Sequence, residues 1–197
     1  MNEINELEDF SPVDPKKKKV KIALSVIATV IVLALLVTVI TFSCITESFI
    51  VDGASMQPTL DGGKDGDYTD GDKVIVNKVK QISRGDIVVA TVAKENKTLI
   101  KRCVAVGGDK VKIESGILYV NGVQESGEYL SVENKRMYNG VELLNVEEFV
   151  VKPNYVYLLG DNRSVSHDSR AIGQISVDEI NGVVFMIIRE NKKLEFI

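Results

Sequence analysis

The one long unbroken apolar run in the chain extends from Ile22 to Ser43, 22 residues without a charge, a glycine or a proline. A helix rises about 1.5 Å per residue, so this run can cross a hydrocarbon layer of about 30 Å. Ser25, Thr29, Thr38 and Thr41 interrupt it, but a helical hydroxyl can donate back to a carbonyl one turn earlier. Beyond the run the pattern shortens to that of strands. Ser48–Val51 is a strand-like stretch leading straight into Gly53-Ala54-Ser55, and Lys73–Lys78, Asp86–Val92 and Thr98–Val106 follow. Lys110–Glu114 and Ile117–Val120, separated only by Ser115-Gly116, predict a two-residue hairpin, with a second turn at Asn121-Gly122. Val156–Leu159 and Val183–Ile188 complete the set. The last is far too short to span a membrane.

No helical period is sustained outside the apolar run, and no internal repeat is present. Residues 121–150 are more polar and predict an insertion between core strands. The expected fold class is therefore mainly β, an N-terminal transmembrane helix followed by a compact β-rich domain. The expected boundaries are 1–21 for a cytoplasmic tail, 22–45 for the anchor and 46–197 for the domain.

Charge sets the expected orientation. Lys16, Lys17, Lys18, Lys19 and Lys21 precede the run, while Glu47, Asp52, Asp61, Asp65 and Asp67 follow it. The positive-inside rule puts the N-terminus in the cytoplasm and the domain outside. A cleaved signal peptide would have an apolar core of about 7–15 residues, shorter than this one, so an uncleaved single-pass anchor is expected. Cys44 invites lipidation, but Thr41-Phe42-Ser43 puts a bulky aromatic where small residues are needed. A net charge of −4 and a pI near 5.2 argue against a nucleic-acid partner. Two cysteines and one histidine cannot furnish a four-ligand zinc site of nitrogen and sulfur. Cys44 and Cys103 are too differently placed for a disulfide to have local support.

Candidate chemistry lies in three segments. Ser55 follows two small residues, which permit close approach of another chain, and Pro58 stiffens the stretch after it. A nucleophilic serine needs a base. His167 is the only histidine; the alternative is a lysine made neutral by burial, which lowers the ammonium pKa by up to about 3–5 units. Lys101 lies between Leu99-Ile100 and Cys103–Val106, an apolar setting, although a solvated strand face is the more usual place for lysine. The third segment, Gly160–Arg170, carries Asp161, Arg163, Asp168 and Arg170 among turn formers. It suggests a loop clamped by carboxylate–guanidinium pairs.

In this order the segments resemble the type I signal peptidases, in the short Gram-positive form with one N-terminal span. The S-M-x-P-T motif is present at Ser55, Met56, Pro58 and Thr59. R-G-D-I-V-V matches Arg84–Val89, K-R followed by G-D matches Lys101-Arg102 and Gly108-Asp109, and G-D-N-R-x-x-S-x-D-S-R is complete from Gly160 to Arg170.

The resemblance implies a membrane-anchored serine endopeptidase that removes signal peptides from exported preproteins after small residues at positions −3 and −1. Ser55 would be the nucleophile and Lys101 the base. Ser166 would orient the Lys101 amine, Asp161, Arg163, Asp168 and Arg170 would brace the loop, and the Ser55 N–H would stabilise the oxyanion. His167, at a variable motif position, would be uninvolved. Membrane lipid and signal peptides near the secretion translocon are the implied partners, with no metal or organic cofactor. The alternatives are a Ser/Lys protease with another dedicated substrate, or a non-catalytic anchored β-domain binding a secreted partner.

Three departures stand out. Gly53 occupies the place where some members carry a serine as second oxyanion donor. Gly107-Gly108 replaces a common Pro-Gly and predicts a looser turn. The acidic stretch Asp61–Asp72 has calcium-loop spacing, but Gly63 breaks the third ligand position, so a solvated loop is expected. Only ten residues separate Cys44 from Ser55, which limits the path from anchor to nucleophile to about 36 Å.

Overall fold

The computed structural model describes residues 15–63, 71–130 and 145–197. It divides into an N-terminal unit ending at Cys44 and a second unit from Ile45 to Ile197. The first is a single helix, α1 (Pro15–Ile45). Its apolar stretch has a mean hydropathy of 2.9 over the best window, with none of that window buried by the protein. Thr29, Thr38 and Thr41 donate to the carbonyls of Ser25, Ala34 and Val37 at 2.8–2.9 Å. Each hydroxyl is thereby satisfied within the helix, as the sequence led one to expect. The helix begins before the apolar run, because lysines are good helix formers.

The second unit is built on two antiparallel sheets. The strands are β1 (Thr46–Ile50), β2 (Lys73–Asn77), β3 (Ile87–Val92), β4 (Lys97–Val106), β5 (Lys110–Glu114), β6 (Ile117–Val120), β7 (Val123–Gln124), β8 (Val146–Val150), β9 (Tyr155–Leu159), β10 (Ile175–Ser176), β11 (Ile180–Ile188) and β12 (Leu194–Phe196). The larger sheet runs β1-β2-β11-β3-β4-β9-β10, with β12 on β11; the smaller runs β7-β6-β5-β8. The only α-helix among the described residues of this unit is the short α2 (Ser169–Ile172).

Both predicted turns form for a local reason. Ser115 and Gly116 have φ of 50° and 79°, and Asn121 and Gly122 have 54° and 76°. Two successive positive φ values match the twist of the flanking strands, which is why such pairs close hairpins. The ends of the expected insertion are not loops, however. Val123–Gln124 and Val146–Val150 are edge strands of the smaller sheet, and residues 131–144 lie outside those described. A two-residue strand, and one with the burial pattern of a half-exposed edge, carry too little apolar periodicity to be read from sequence.

Three apolar clusters hold the unit together. One gathers Val51, Met56, Leu60, Val74, Val76 and Val184 behind β1 and β2. A second, including Val88, Cys103, Leu158 and Ile175, lies on β3, β4 and β9. A third joins the two sheets, with Val104, Tyr157 and Leu159 meeting Val111, Ile113 and Leu118. Phe149 packs on Tyr157 at 5.2 Å between ring centres. A fully buried side chain of this kind stabilises by about 1.5–3 kcal/mol, so the core does not depend on disulfides. Cys44 and Cys103 are free, and burial pushes the Cys103 thiol up to about 12.

The Gly107-Gly108 turn is tighter than expected. A Cβ on Gly107 would lie 3.0 Å from the Lys152 carbonyl oxygen, and Asp109 anchors the turn by accepting from Val106 N–H and Asn121 Nδ2 at 2.9 and 2.8 Å. Most of the acidic stretch (64–70) is outside the described residues, but its two ends are zipped together. Asp72 N–H donates to the Asp61 carbonyl at 2.8 Å, and the buried Asp72 carboxylate accepts from Asp61 N–H and Arg189 at 2.9 and 2.7 Å.

Candidate active site

Ser55 sits in the turn after β1. The segment is pinned from below by Met56 and Leu60, both buried in the first cluster, and by Leu60 N–H donating to the Met56 carbonyl at 3.0 Å. On its other side the Ser55 carbonyl accepts Asn162 N–H at 3.0 Å, so the first and third motifs are joined by their backbones. Gly160 permits this approach. A Cβ there would stand 2.4 Å from the Ser55 carbonyl oxygen and 2.2 Å from Ser166 Oγ.

Gly160→Ala is therefore expected to push the Ser55 turn aside. Displacements of about 1 Å cost on the order of 100-fold in turnover, so kcat on a peptide substrate should fall by about that factor while KM changes little.

Lys101 comes from the middle of β4, paired with Val88 of β3, and is 3% exposed. Its Nζ stands 2.6 Å from Ser55 Oγ and donates to the Ile100 carbonyl at 2.9 Å. Burial lowers its pKa from 10.5 to about 8, against the opposing pull of the Asp168 and Asp161 carboxylates. An amine of that kind is neutral in a useful fraction near physiological pH.

Around this pair the charged residues are committed to one another. Arg102 holds Asp161 with both oxygens, at 2.8 Å from Nε and 2.6 Å from the terminal nitrogen. It also donates to the Gly85 carbonyl at 2.7 Å. Thr59 Oγ1 donates to the same carboxylate at 2.5 Å. Arg163 donates to the Gly160 carbonyl at 2.9 Å and to Glu125 at 2.7 Å. Asp168 caps α2 and accepts from Gly160 N–H at 3.1 Å and from Arg170 Nε at 2.8 Å. Arg170 reaches back to the Arg163 and Ser166 carbonyls. Bidentate, buried pairs of this sort fix geometry as well as charge.

Thus Met56 packs in the core, Pro58 lies within the turn it shares with Ser55, and Thr59, Asp161, Arg163, Asp168 and Arg170 all enter one network. Ser166 is different. Its hydroxyl is buried against Gly160 and finds no hydrogen-bond partner among the described residues; the bond to Lys101 that the resemblance implied is not formed. His167 is exposed and bonds Glu95 at 3.2 Å rather than Ser55. Gly53 has φ +76°, with open space where a Cβ would point. A serine there would be strained, which is a backbone reason for glycine at that position.

Two residues outside the motifs also belong to the network. Glu125 and Tyr129 reach it from beyond β7, in the stretch read as an insertion, and no local pattern in the sequence marks them. Arg102 and Gly85, by contrast, lie inside two of the motifs, although their mutual contact needs the fold.

A cleft of about 670 Å³ opens at the pair, lined on one wall by Phe49–Met56 and on the other by Lys97–Lys101, with Val165 and His167 at its side. Both walls are open edges. Among the described residues, β1 pairs only with β2, and β4 pairs with β9 only from Arg102 onward. Another cleft, of about 570 Å³ and lined by Lys78, Lys80 and Tyr155 among others, contains neither Ser55 nor Lys101 and has no nucleophile–base pair to offer.

Residues 23–189 match the family model described as signal peptidase, peptidase S26. Signal peptidase IB of Staphylococcus aureus is 33% identical over 168 residues, 78% of this chain and 83% of that protein. Signal peptidase I U of Bacillus subtilis (strain 168) is 30% identical over 177 residues, 87% of this chain and 90% of that protein. A crystal structure of a signal peptidase I from Enterococcus faecalis V583 is 26% identical and covers 53% of this chain and 97% of that one, with a TM-score of 0.45.

Proposed function

The chain belongs to the signal peptidase family, peptidase S26, a serine endopeptidase that removes signal peptides, and we propose that Ser55 and Lys101 are its nucleophile and general base. The observation that carries this reading is the 2.6 Å approach of Lys101 Nζ to Ser55 Oγ, made by an amine buried enough to lose its proton near pH 8. A protonated lysine could not act as a base, and an exposed one would stay protonated.

The preprotein lies extended in the cleft and adds its backbone to the open edges of β1 and β4. Val51, Met56, Leu99 and Ile100 are apolar residues of the cleft wall beside the pair, and they are assigned to the shallow pockets that take small side chains at −3 and −1. Ser55 Oγ attacks the scissile carbonyl carbon as its proton passes to the Lys101 amine. The Ser55 N–H donates to the oxyanion. The tetrahedral species collapses as Lys101 returns the proton to the departing amine of the mature chain. Water, deprotonated by the same lysine, then hydrolyses the acyl-enzyme and restores both groups.

α1 anchors the enzyme with its N-terminus in the cytoplasm, so that the domain works outside, where preproteins leave the translocon. The lysines before the apolar stretch and the acids after it support this orientation.

The test is cleavage of a preprotein with alanine at −3 and −1 by the purified full-length protein in detergent. The expected result is one cut after the −1 alanine, with Ser55→Ala reduced to background. Undiminished cutting by Ser55→Ala would remove the nucleophile assignment.

A further inference from the structure

Glu125 and Tyr129 lie outside every recognised motif, yet they close the charged network behind the reacting pair. Both belong to the chain leaving β7 of the smaller sheet, where Glu125 N–H extends the ladder by donating to the Leu118 carbonyl at 2.9 Å. The Arg102 guanidinium sits over the Tyr129 ring, 3.9 Å from its carbon to the ring centre. The Tyr129 hydroxyl donates to Glu125, and the same carboxylate accepts from Arg163 at 2.7 Å, with the two side chains 13% and 3% exposed. Burial foremost, and the Glu125 charge after it, push the Tyr129 phenol well above its usual value, so it remains a donor. One tyrosine and one glutamate thus touch two of the arginines that hold the Gly160–Arg170 loop: Arg102, which acts through Asp161, and Arg163, which acts through the Gly160 carbonyl.

We propose that Glu125 and Tyr129 form a clip through which the smaller sheet positions Arg102 and Arg163, and so sets the charge that Lys101 experiences. The inference rests on Lys101 being the base, since its effect is read at that amine. Tyr129 is a positioning residue, not a catalytic one: its ring meets Arg102, and Arg102 meets Asp161, but the ring makes no bond to Ser55 or Lys101. The direction of the effect follows from the charges. Asp168 and, after it, Asp161 favour the protonated form of Lys101; Arg170 sets a positive charge against the first carboxylate and Arg102, in bidentate contact, against the second. Freed from its ring, Arg102 loses a face contact and gains solvent, and the Asp161 carboxylate acts on Lys101 with less compensation. The Lys101 pKa then rises.

The experiment compares pH profiles of kcat/KM for the full-length enzyme, Tyr129→Leu and Tyr129→Phe on one preprotein with alanine at −3 and −1. Tyr129→Leu removes the ring; Tyr129→Phe keeps the ring and removes only the hydroxyl. The expected result is an acidic limb displaced upward by about half to one pH unit in Tyr129→Leu, a loss of roughly three- to ten-fold at neutral pH, with KM near that of the parent. Tyr129→Phe should restore most of the original limb, because the cation–π contact persists.

Superimposable profiles for Tyr129→Leu and the parent overturn the clip. So does a Tyr129→Phe profile as displaced as that of Tyr129→Leu, since the ring would then not be the active element. A parent profile with no limb near pH 8 counts against Lys101 as base instead. In that case the clip is judged on kcat at a single pH, where equality of Tyr129→Leu and parent rejects it. Circular dichroism of each variant separates a folded, mispositioned enzyme from an unfolded one, and a loss that follows the unfolded fraction alone rejects the clip as well.

Discussion

Lys101→Met is expected to abolish cleavage while making the domain more stable at neutral pH. Removal of a general base costs about 10²–10⁴ in rate, and here the same group also returns the proton to the leaving amine, so the loss should lie toward the upper end. In the parent enzyme, kcat/KM should fall about tenfold for each pH unit below 8, because only the neutral amine accepts the Ser55 proton.

The stability effect runs the other way. Below pH 8 the folded and unfolded chains both hold the Lys101 proton; between about 8 and 10.5 only the unfolded chain does. Stability of the parent therefore rises with pH through that window, and below it the buried ammonium is a standing cost. A fall from 10.5 to about 8, at about 1.4 kcal/mol per pH unit, sets that cost at up to roughly 3.5 kcal/mol. Methionine carries no such charge and fits an apolar neighbourhood. Thermal unfolding should show Lys101→Met more stable than the parent at pH 7, the gap closing as pH approaches 10.5. A less stable variant at pH 7 would mean that the lysine is well accommodated as a cation, which would count against its role as a base.

The second large effect is expected at Asp161. Its side chain is completely buried and accepts from Arg102 twice and from Thr59 once. Asp161→Asn keeps the shape but removes the charge, leaving the Arg102 guanidinium buried opposite an amide that offers only one acceptor. Breaking one side of a buried pair costs about 3–5 kcal/mol, whereas replacing both sides with apolar groups is often close to neutral. Denaturant unfolding should therefore find Asp161→Asn destabilised by about that amount, and Asp161→Asn combined with Arg102→Met closer to the parent than the single variant. Additive losses in the pair would show that the two residues stabilise the domain independently.

Much of this was legible in the chain itself. The apolar length marks one helix long and apolar enough to cross a membrane, and a period of two marks a β-rich domain. Positive-φ pairs at Ser115-Gly116 and Asn121-Gly122 appear as turns because only local backbone sterics decide them. The candidate residues could be named only because four motifs occur in order; taken singly, Ser55 resembles a loop serine and Lys101 a surface lysine. The outer half of the smaller sheet was the main omission. Its strands, β7 and β8, are short and half exposed, so their pairing with β6 and β5 leaves hardly any trace in the pattern of apolar residues.

By itself, then, the sequence determined which segments are apolar, where turns are sterically required and which residue types are available for chemistry, because these depend on neighbours a few positions away. Only the tertiary structure decided which of those residues meet. Lys101 and Ser55, 46 positions apart, stand 2.6 Å from one another, and burial lowers the Lys101 pKa to about 8, a property of the packed domain rather than of Ile100-Lys101-Arg102. The same holds for Tyr129 on Arg102 and for Ser166, whose hydroxyl is buried without a partner among the described residues. Electrostatic behaviour depends on distance and on the water excluded, and neither is set until the larger sheet has brought the turn after β1 against β4.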